Sequence, residues 1–342
     1  MDYPGSRNGC LYLGIDAGMF KTSVCTSEGK RFSERSVVIL HENSADSDGR
    51  ILSGTQALEA TDGNVKEALK NGLKDEDDVL IFKEYLTDLL EKHDIEVKNR
   101  NIYAILGVPS TANMEYKKNL LSLAMELFSG AMLVDELFCI AYKKDILETS
   151  MILDLGFSKT DIAIINGGIP QENDFHCLSC SGKDIDSEIV KLIKERWYDS
   201  IVTEELAREW KEEYGHLVSA PGACTVNIPL ESGTVNESID EEIQIACEFV
   251  VTDIVSGITR LLSEVETEIR ESLRNNIHIF GGTSRLLNIG TFIENELKEL
   301  GGARVSLDID PVFGVAEGAL ELCRNMPAEF WEQIIAQNRI RI

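Results

Sequence analysis

One pattern occurs twice in this chain, and it constrains the fold more than any other feature. Residues 11–24 read LYLGIDAGMFKTSV and residues 150–164 read SMILDLGFSKTDIAI. Each is an apolar run, then Asp-x-Gly-x-x-Lys-Thr, then more apolar residues. The first copy supplies Asp16, Gly18, Lys21 and Thr22, and the second Asp154, Gly156, Lys159 and Thr160. A repeat at such long spacing predicts two duplicated domains, not a solenoid of short units. Within each copy a strand-length apolar run (11–15, 151–155) meets a glycine that permits a turn, and a second strand departs. Each copy therefore predicts a β-hairpin.

The segments between and after the repeats alternate between helix and strand patterns. Over 75–93 the apolar residues Val79, Leu80, Phe82, Tyr85, Leu86, Leu89 and Leu90 keep a helical spacing. A strand over 101–108 closes at Pro109, and Asn113 is placed to cap a helix over 113–128. A strand at 131–134 and a helix at 136–144 follow. The second half predicts helices at 182–197 and 203–214, a hairpin at 224–230 and 234–238, and a long helix at 239–263 continuing through 264–273. Beyond these come a strand at 276–280, a helix to 300, a strand at 305–307 and a last helix, opened by Pro311, to 323. Residues 41–50 read as a surface loop. This alternation predicts an α/β fold with mixed sheets.

The formal charge of −26 over 342 residues repels phosphate backbones and argues against nucleic-acid binding. No run approaches the roughly 18 apolar residues of a membrane span, and the first nine residues lack the basic and apolar regions of a signal peptide. These features predict a soluble cytoplasmic protein with no direct membrane insertion. Of the eight cysteines, Cys25, Cys139, Cys247 and Cys323 sit in apolar surroundings, where a reduced thiol packs as a small hydrophobe. Cys177 and Cys180 form a CxxC. With no second pair to complete four zinc ligands, they read as positions of an extended segment.

The duplicated turns carry the chemistry. Backbone N–H groups of glycine-rich turns make concavities that bind anions, and Lys21, Thr22, Lys159 and Thr160 can add donors. Asp16 and Asp154 would repel phosphate directly but can hold Mg²⁺ through its water shell. One Asp-x-Gly turn alone is an ordinary hairpin; two, each after a buried strand, suggest a phosphate clamp. A third signal is IHIFGGTSR (277–285), a strand running into Gly281-Gly282. Glycine there lets the backbone approach a flat ligand closely, and a following helix start favours anions.

In this order, the stretches LYLGIDAG, ILGVPSTAN, LVDELFCIAY, ILDLGFSKTDIAII, NNIHIFGGTSRLLNI and GALELCRNMPAEFWEQI resemble the actin, Hsp70 and sugar-kinase superfamily. Within it the chain is similar to the MreB-type bacterial actins over nearly its whole length. The resemblance implies an actin-like fold, two duplicated domains around a nucleotide cleft. The halves would be 1–150, with a small subdomain at about 35–98, and 151–342, with one at about 187–240. It implies ATP or ADP with Mg²⁺ as cofactors. Catalytic roles fall to Glu136, which would position the attacking water, and to Asp16 and Asp154, which would hold the metal. Phosphate contacts fall to Gly18, Met19, Phe20, Lys21 and Thr22 and to Gly156, Phe157, Ser158, Lys159 and Thr160. Nucleoside contacts fall to Gly182, Lys211, Glu212, Glu213, Gly281, Gly282, Thr283 and Arg285.

The implied partner is the chain itself, in a cytoplasmic filament, with a paralogous actin-like protein and organelle-membrane adaptors as further partners. Two departures stand out. Met19 occupies a place where the family usually has Ser or Thr, and Phe157 and Ser158 stand where it usually has small residues, mostly glycine. They predict retained binding with slowed, altered or lost hydrolysis. The alternatives are a hydrolysis-deficient scaffold that co-assembles with a catalytic relative and a small-molecule kinase of the same fold. An Hsp70-type module would need a peptide-binding domain after residue 342.

Overall fold

A computed structural model describes residues 9–39, 51–60, 64–69, 72–98, 100–168, 170–218, 224–308 and 310–339. The loop expected at 41–50 and the first eight residues lie outside the described set. The chain divides into two compact units, Met1–Asp145 with Val312–Ile342, and Ile146–Pro311.

The first unit begins with β1 (Leu11–Ala17), β2 (Lys21–Thr26) and β3 (Arg31–Arg35), then a small sheet of β4 (Val37–Ile39), β5 (Leu52–Ser53) and β6 (Val65–Glu67) with the short helix α1 (Gly54–Glu59). It continues with α2 (Glu76–Lys92), β7 (Ile102–Val108), α3 (Met114–Leu127), β8 (Gly130–Asp135) and α4 (Glu136–Lys144). The main sheet has the order β3-β2-β1-β7-β8. The first three strands form an antiparallel meander, while β1, β7 and β8 run parallel. Parallel neighbours require crossovers, and helices fill that role. β7 is buried along its full length, as a strand covered on both faces must be. Its alternate residues Ile102, Ala104 and Leu106 share one core with Leu86 and Leu89 of α2 and Leu120 and Leu123 of α3. Asn113 caps α3 as expected, accepting from the Tyr116 amide at 2.8 Å.

The second unit runs β9 (Ser150–Leu155), β10 (Thr160–Ile165), β11 (Phe175–Leu178), α5 (Gly182–Arg196), α6 (Glu204–Tyr214), β12 (Thr225–Leu230), β13 (Gly233–Ser238), α7 (Asp240–Glu264), α8 (Thr267–Asn275), β14 (Ile277–Phe280), α9 (Ile289–Glu296) and β15 (Val305–Leu307). Its main sheet has the order β11-β10-β9-β14-β15. The directions match the first sheet strand for strand: antiparallel for β11, β10 and β9, parallel for β9, β14 and β15. The repeat read from sequence is therefore a repeat of topology, with both Asp-x-Gly turns between the first and second strands of equivalent sheets. Met151, Leu153 and Leu155 of β9 pack in one core with Ile185, Ile189 and Ile193 of α5 and Ile243, Val250 and Ile254 of α7.

The chain then returns to the first unit through α10 (Gly314–Asn325) and α11 (Ala328–Arg339). The linear division assigned 312–342 to the second half; small residues explain the return. A Cβ at Gly14 of β1 would overlap the Ala316 carbonyl, and one at Gly318 would overlap that of Cys139 in α4. Glycine at both places lets α10 lie directly on sheet and helix backbone. Trp331 of α11, 1 % exposed, packs against Tyr103 of β7 with ring centroids 5.1 Å apart.

Three other expectations change. Pro311 sits in a turn and α10 starts only at Gly314. The helix expected up to residue 300 is broken into a 3-10 turn at Gly282–Arg285, α9 and a second 3-10 turn at Lys298–Leu300. α8 is separate from α7, because Arg270 turns back to donate to the carbonyls of Ser263 and Val265. Among the described residues, no helix is long and apolar enough to cross a membrane.

Candidate functional site

In the first unit, Asp16 lies near the end of β1, in register with Ser23 on β2 and Gly107 on β7. The turn that follows is held from outside the repeat. Ser36, immediately after β3, donates its hydroxyl to the Gly18 carbonyl at 2.6 Å and its amide to the Phe20 carbonyl at 3.0 Å. Thr22 Oγ1 lies 3.0 Å from Ser36 Oγ and is its donor, since the Ser36 proton is directed to Gly18. A trans peptide directs C=O and the following N–H oppositely. Capture of these two carbonyls therefore turns the amides of Met19 and Lys21 to the other side. Met19 is exposed, and the Phe20 ring is covered by the Arg35 guanidinium at 4.0 Å.

Glu136 opens α4 and is buried at 7 % exposure. The preceding Asp135 caps the helix, accepting from the amides of Leu137 and Phe138 at 2.9 and 3.1 Å. Gly107 lies beside it: a Cβ there would overlap Val315 Cγ1 of α10 and stand 3.3 Å from Glu136 Cγ. The Asp16 and Glu136 carboxylates share a neighbourhood. Burial pushes the Tyr116 hydroxyl and the Cys139 thiol up, and the negative charges of both carboxylates add to each shift.

The second unit builds the equivalent turn with different partners. The carbonyls of Gly156 and Phe157 accept from the amides of Gly182 and Lys183, at the start of α5, at 3.0 and 2.8 Å. By the same peptide geometry, the amides of Phe157 and Ser158 point away from α5. The captured glycine carbonyl is the same in both copies, and in each a donor from just after the third strand of the sheet, Ser36 or Gly182, reaches it. The amides of Gly182 and Lys183 are thereby committed to the turn.

Other candidates gather around this knot. Thr283, after β14, donates to the Gly156 carbonyl at 3.4 Å. Lys211, expected to reach the nucleoside, is buried. Its ammonium donates to the Gly182 carbonyl at 2.7 Å and lies 2.5 Å from the Asp186 carboxylate. Glu212 and Glu213, next along α6, are exposed. Lys159, expected to add charge for phosphate, is ion-paired with Asp161, the cross-strand neighbour of Asp154. Arg285 lies 3.9 Å from Asp310, both exposed.

Asp154 is in register with Phe280 at the end of β14, which brings Gly281 against its carboxylate. Gly281 has φ +83, and a Cβ there would be 2.5 Å from the Leu155 carbonyl oxygen. A Cβ at Gly282, in contrast, would meet nothing within 4 Å. Burial raises the Asp154 carboxyl to about 6, the Asp161 charge adds to the rise, and Lys159 opposes it. Of the CxxC, Cys177 lies in β11 as the extended reading expected, and both thiols are free. Ser36, Asp186, Arg208 and Asp161 were not singled out from sequence. Only Asp186 left a signal, as a carboxylate beside Ile185 on the apolar stripe of α5.

The sequence model of the MreB/Mbl protein family matches residues 11–329. The actin-like protein MamK of Magnetospirillum gryphiswaldense is 29 % identical over 337 residues, which cover 96 % of this chain and 93 % of MamK. A MamK double helical filament superposes with a TM-score of 0.85 at 28 % identity, covering 93 % of this chain and 100 % of that one. A non-polymerising MamK mutant bound to AMPPNP gives 0.75 at 27 % identity, covering 93 % and 99 %. The family match runs through both repeats and into α11, and the duplicated sheets carry the matching topology: this chain belongs to the MreB/Mbl family and has its actin-like fold.

Proposed function

We propose that this chain is a cytoplasmic actin-like ATPase that binds ATP with Mg²⁺, polymerises with copies of itself and hydrolyses ATP to ADP and phosphate. The observation that carries the reading is the turn built twice. In each unit a captured glycine carbonyl directs backbone amides to the side opposite its anchor, as an anion-binding turn requires. The residues fit a nucleotide on two further counts. Gly281 removes the side chain that would block the Asp154 carboxylate, and Gly282 presents bare backbone. Asp16 and Asp154 offer the oxygen ligands that a hydrated Mg²⁺ prefers.

Bound Mg²⁺ would supply charge neutralisation at the phosphates. Asp16 and Asp154 would accept hydrogen bonds from its waters. The turn amides of Met19, Lys21, Phe157 and Ser158 would bind phosphate oxygens, and residues 281–283 would pack against the nucleoside. Glu136, fixed at the start of α4, would orient the attacking water and accept its proton. Filament assembly is supported by the similarity to the MamK filament, and a role in positioning magnetosomes or similar organelles rests on that same similarity. An organelle-membrane adaptor and a paralogous actin-like protein are the partners this role would need.

One observation favours a second reading, a scaffold that binds ATP without hydrolysing it. Met19 is exposed on the first turn, where a hydroxyl donor would serve the terminal phosphate. Sedimentation with ATP, ADP or no nucleotide, paired with a phosphate-release assay, separates the two. ATP-dependent pelleting with phosphate release supports the ATPase, and pelleting without release supports the scaffold. Absence of both nucleotide binding and pelleting rejects both.

A further inference from the structure

Phe157 is the residue of the second turn least suited to phosphate, because it puts a ring where close backbone approach is needed. The structure shows where that ring goes: the Arg208 guanidinium on α6 lies 4.5 Å from its centroid. Arg208 is fixed in turn. Its Nε donates to Asp186 Oδ2 at 3.1 Å, its Nη1 lies 3.6 Å from Glu205, and its side chain is 11 % exposed. Asp186 is fully buried on α5, one turn after Gly182. The backbone of Phe157 is held on the same side, through its carbonyl and the Lys183 amide. A planar guanidinium can lie on a ring face while an edge N–H bonds a carboxylate, and an ammonium cannot do both.

We propose that Arg208, oriented by Asp186, is a positioning residue of the second phosphate turn. It parks the Phe157 ring against α6 and so keeps residues 156–159 open to the terminal phosphates of a nucleoside triphosphate. The inference rests on the reading that this turn takes the phosphates. It gives the chain a means to carry a large aromatic residue where a small one would need no such restraint.

A double-mutant cycle on the full chain, with AMPPNP affinity as the readout, tests it. Arg208→Ala is expected to weaken binding roughly tenfold, the scale of one partly desolvated cation–π contact. In the Phe157→Gly background, the same substitution is expected to change affinity less than about twofold. Equal losses in both backgrounds, or no loss in either, overturn the role. If Arg208→Ala does not fold, Arg208→Lys, which keeps a cation beside Asp186, carries the same comparison. Hydrogen exchange without nucleotide gives a second readout. Arg208→Ala should accelerate exchange at the amides of 156–160 and leave the strand amides of β9 and β14 unchanged, and unaltered exchange at the turn overturns the role. Failure of the unmodified chain to bind AMPPNP would reject the nucleotide reading itself, a result distinct from equal losses in both backgrounds.

Discussion

Gly281 stands so close to Asp154 that a methyl group on it would overlap the carboxylate oxygen Oδ1. Its φ of +83 adds a second reason for glycine, since side chains rarely adopt that conformation. Gly281→Ala combines this strain with a clash against the Leu155 backbone, which cannot move away as a flexible side chain would. We expect a loss of about 2–4 kcal/mol of stability together with loss of nucleotide binding. Gly282→Ala separates the two effects. Its Cβ would project into open space, so stability should change by less than about 0.5 kcal/mol. Nucleotide affinity should still fall, because the methyl group would stand where the nucleoside is proposed to lie. Thermal denaturation and AMPPNP titration of the two variants check both statements. Unchanged affinity in Gly282→Ala would remove residues 281–283 from the nucleoside site.

Lys211 illustrates a different balance. Its charge, buried at 8 % exposure, sits against an Asp186 that is fully buried. Burial raises the Asp186 carboxyl above its ordinary range even against the pull of Lys211 and Arg208. Removing one partner of a buried pair leaves the other uncompensated, a loss of about 3–5 kcal/mol. Lys211→Met should approach the lower end of this range, because Arg208 still bonds Asp186. Urea denaturation at neutral pH measures it, and a loss below about 1 kcal/mol would show that Arg208 alone satisfies the carboxylate.

The readings that succeeded and those that failed separate along physical lines. The hairpins at Asp16 and Asp154, the helix at Glu76–Lys92 and the cap at Asn113 were legible because strand length, helical period and capping chemistry are local signals. The burial of Lys211 against Asp186 was not legible, because a lysine on an acidic helix gives no local sign of it and only the packing of α6 on α5 produces it. Ser36 carried no signal, since one serine after an edge strand is unremarkable until its hydroxyl is seen on the Gly18 carbonyl. Pro311 misled for a related reason: proline suits the first turn of a helix, but it suits an ordinary turn as well. The return of α10 to β1 depends on Gly14 and Gly318, far apart in sequence, and nothing local announces that these glycines face other backbones.

Asp154 gives the chain a pH dependence of definite sign. Its carboxyl is raised from 3.8 to about 6 in the folded protein. Between these values the folded state holds a proton that the unfolded state has released. Stability should therefore fall as pH rises from about 4 to about 6, and this contribution should be flat above that. Asp154→Asn should remove the slope, and thermal denaturation across pH 4–7 with both proteins measures the difference. Identical slopes would mean that Asp154 does not titrate in this window. Cation binding favours the ionised form, so Mg²⁺-nucleotide affinity should weaken as pH drops below about 6.

Glu136 is the residue on which hydrolysis and assembly should separate. It lies at the start of α4, where the helix dipole favours its negative charge. Glu136→Gln keeps the shape and a hydrogen-bonding side chain but removes the proton acceptor. The loss is confined to the dipole interaction of the charge, so stability should fall by less than about 1 kcal/mol. The proposed nucleotide contacts lie in the turns at Gly18 and Gly156, which the substitution does not touch, so ATP binding and pelleting should persist. Phosphate release should slow by roughly 10²–10⁴-fold, the usual range for a positioned general base. Turnover equal to that of the unmodified chain would take Glu136 out of the reaction. Loss of pelleting at unchanged stability would instead assign it to the conformational response to nucleotide, because the substitution leaves both Asp-x-Gly turns intact.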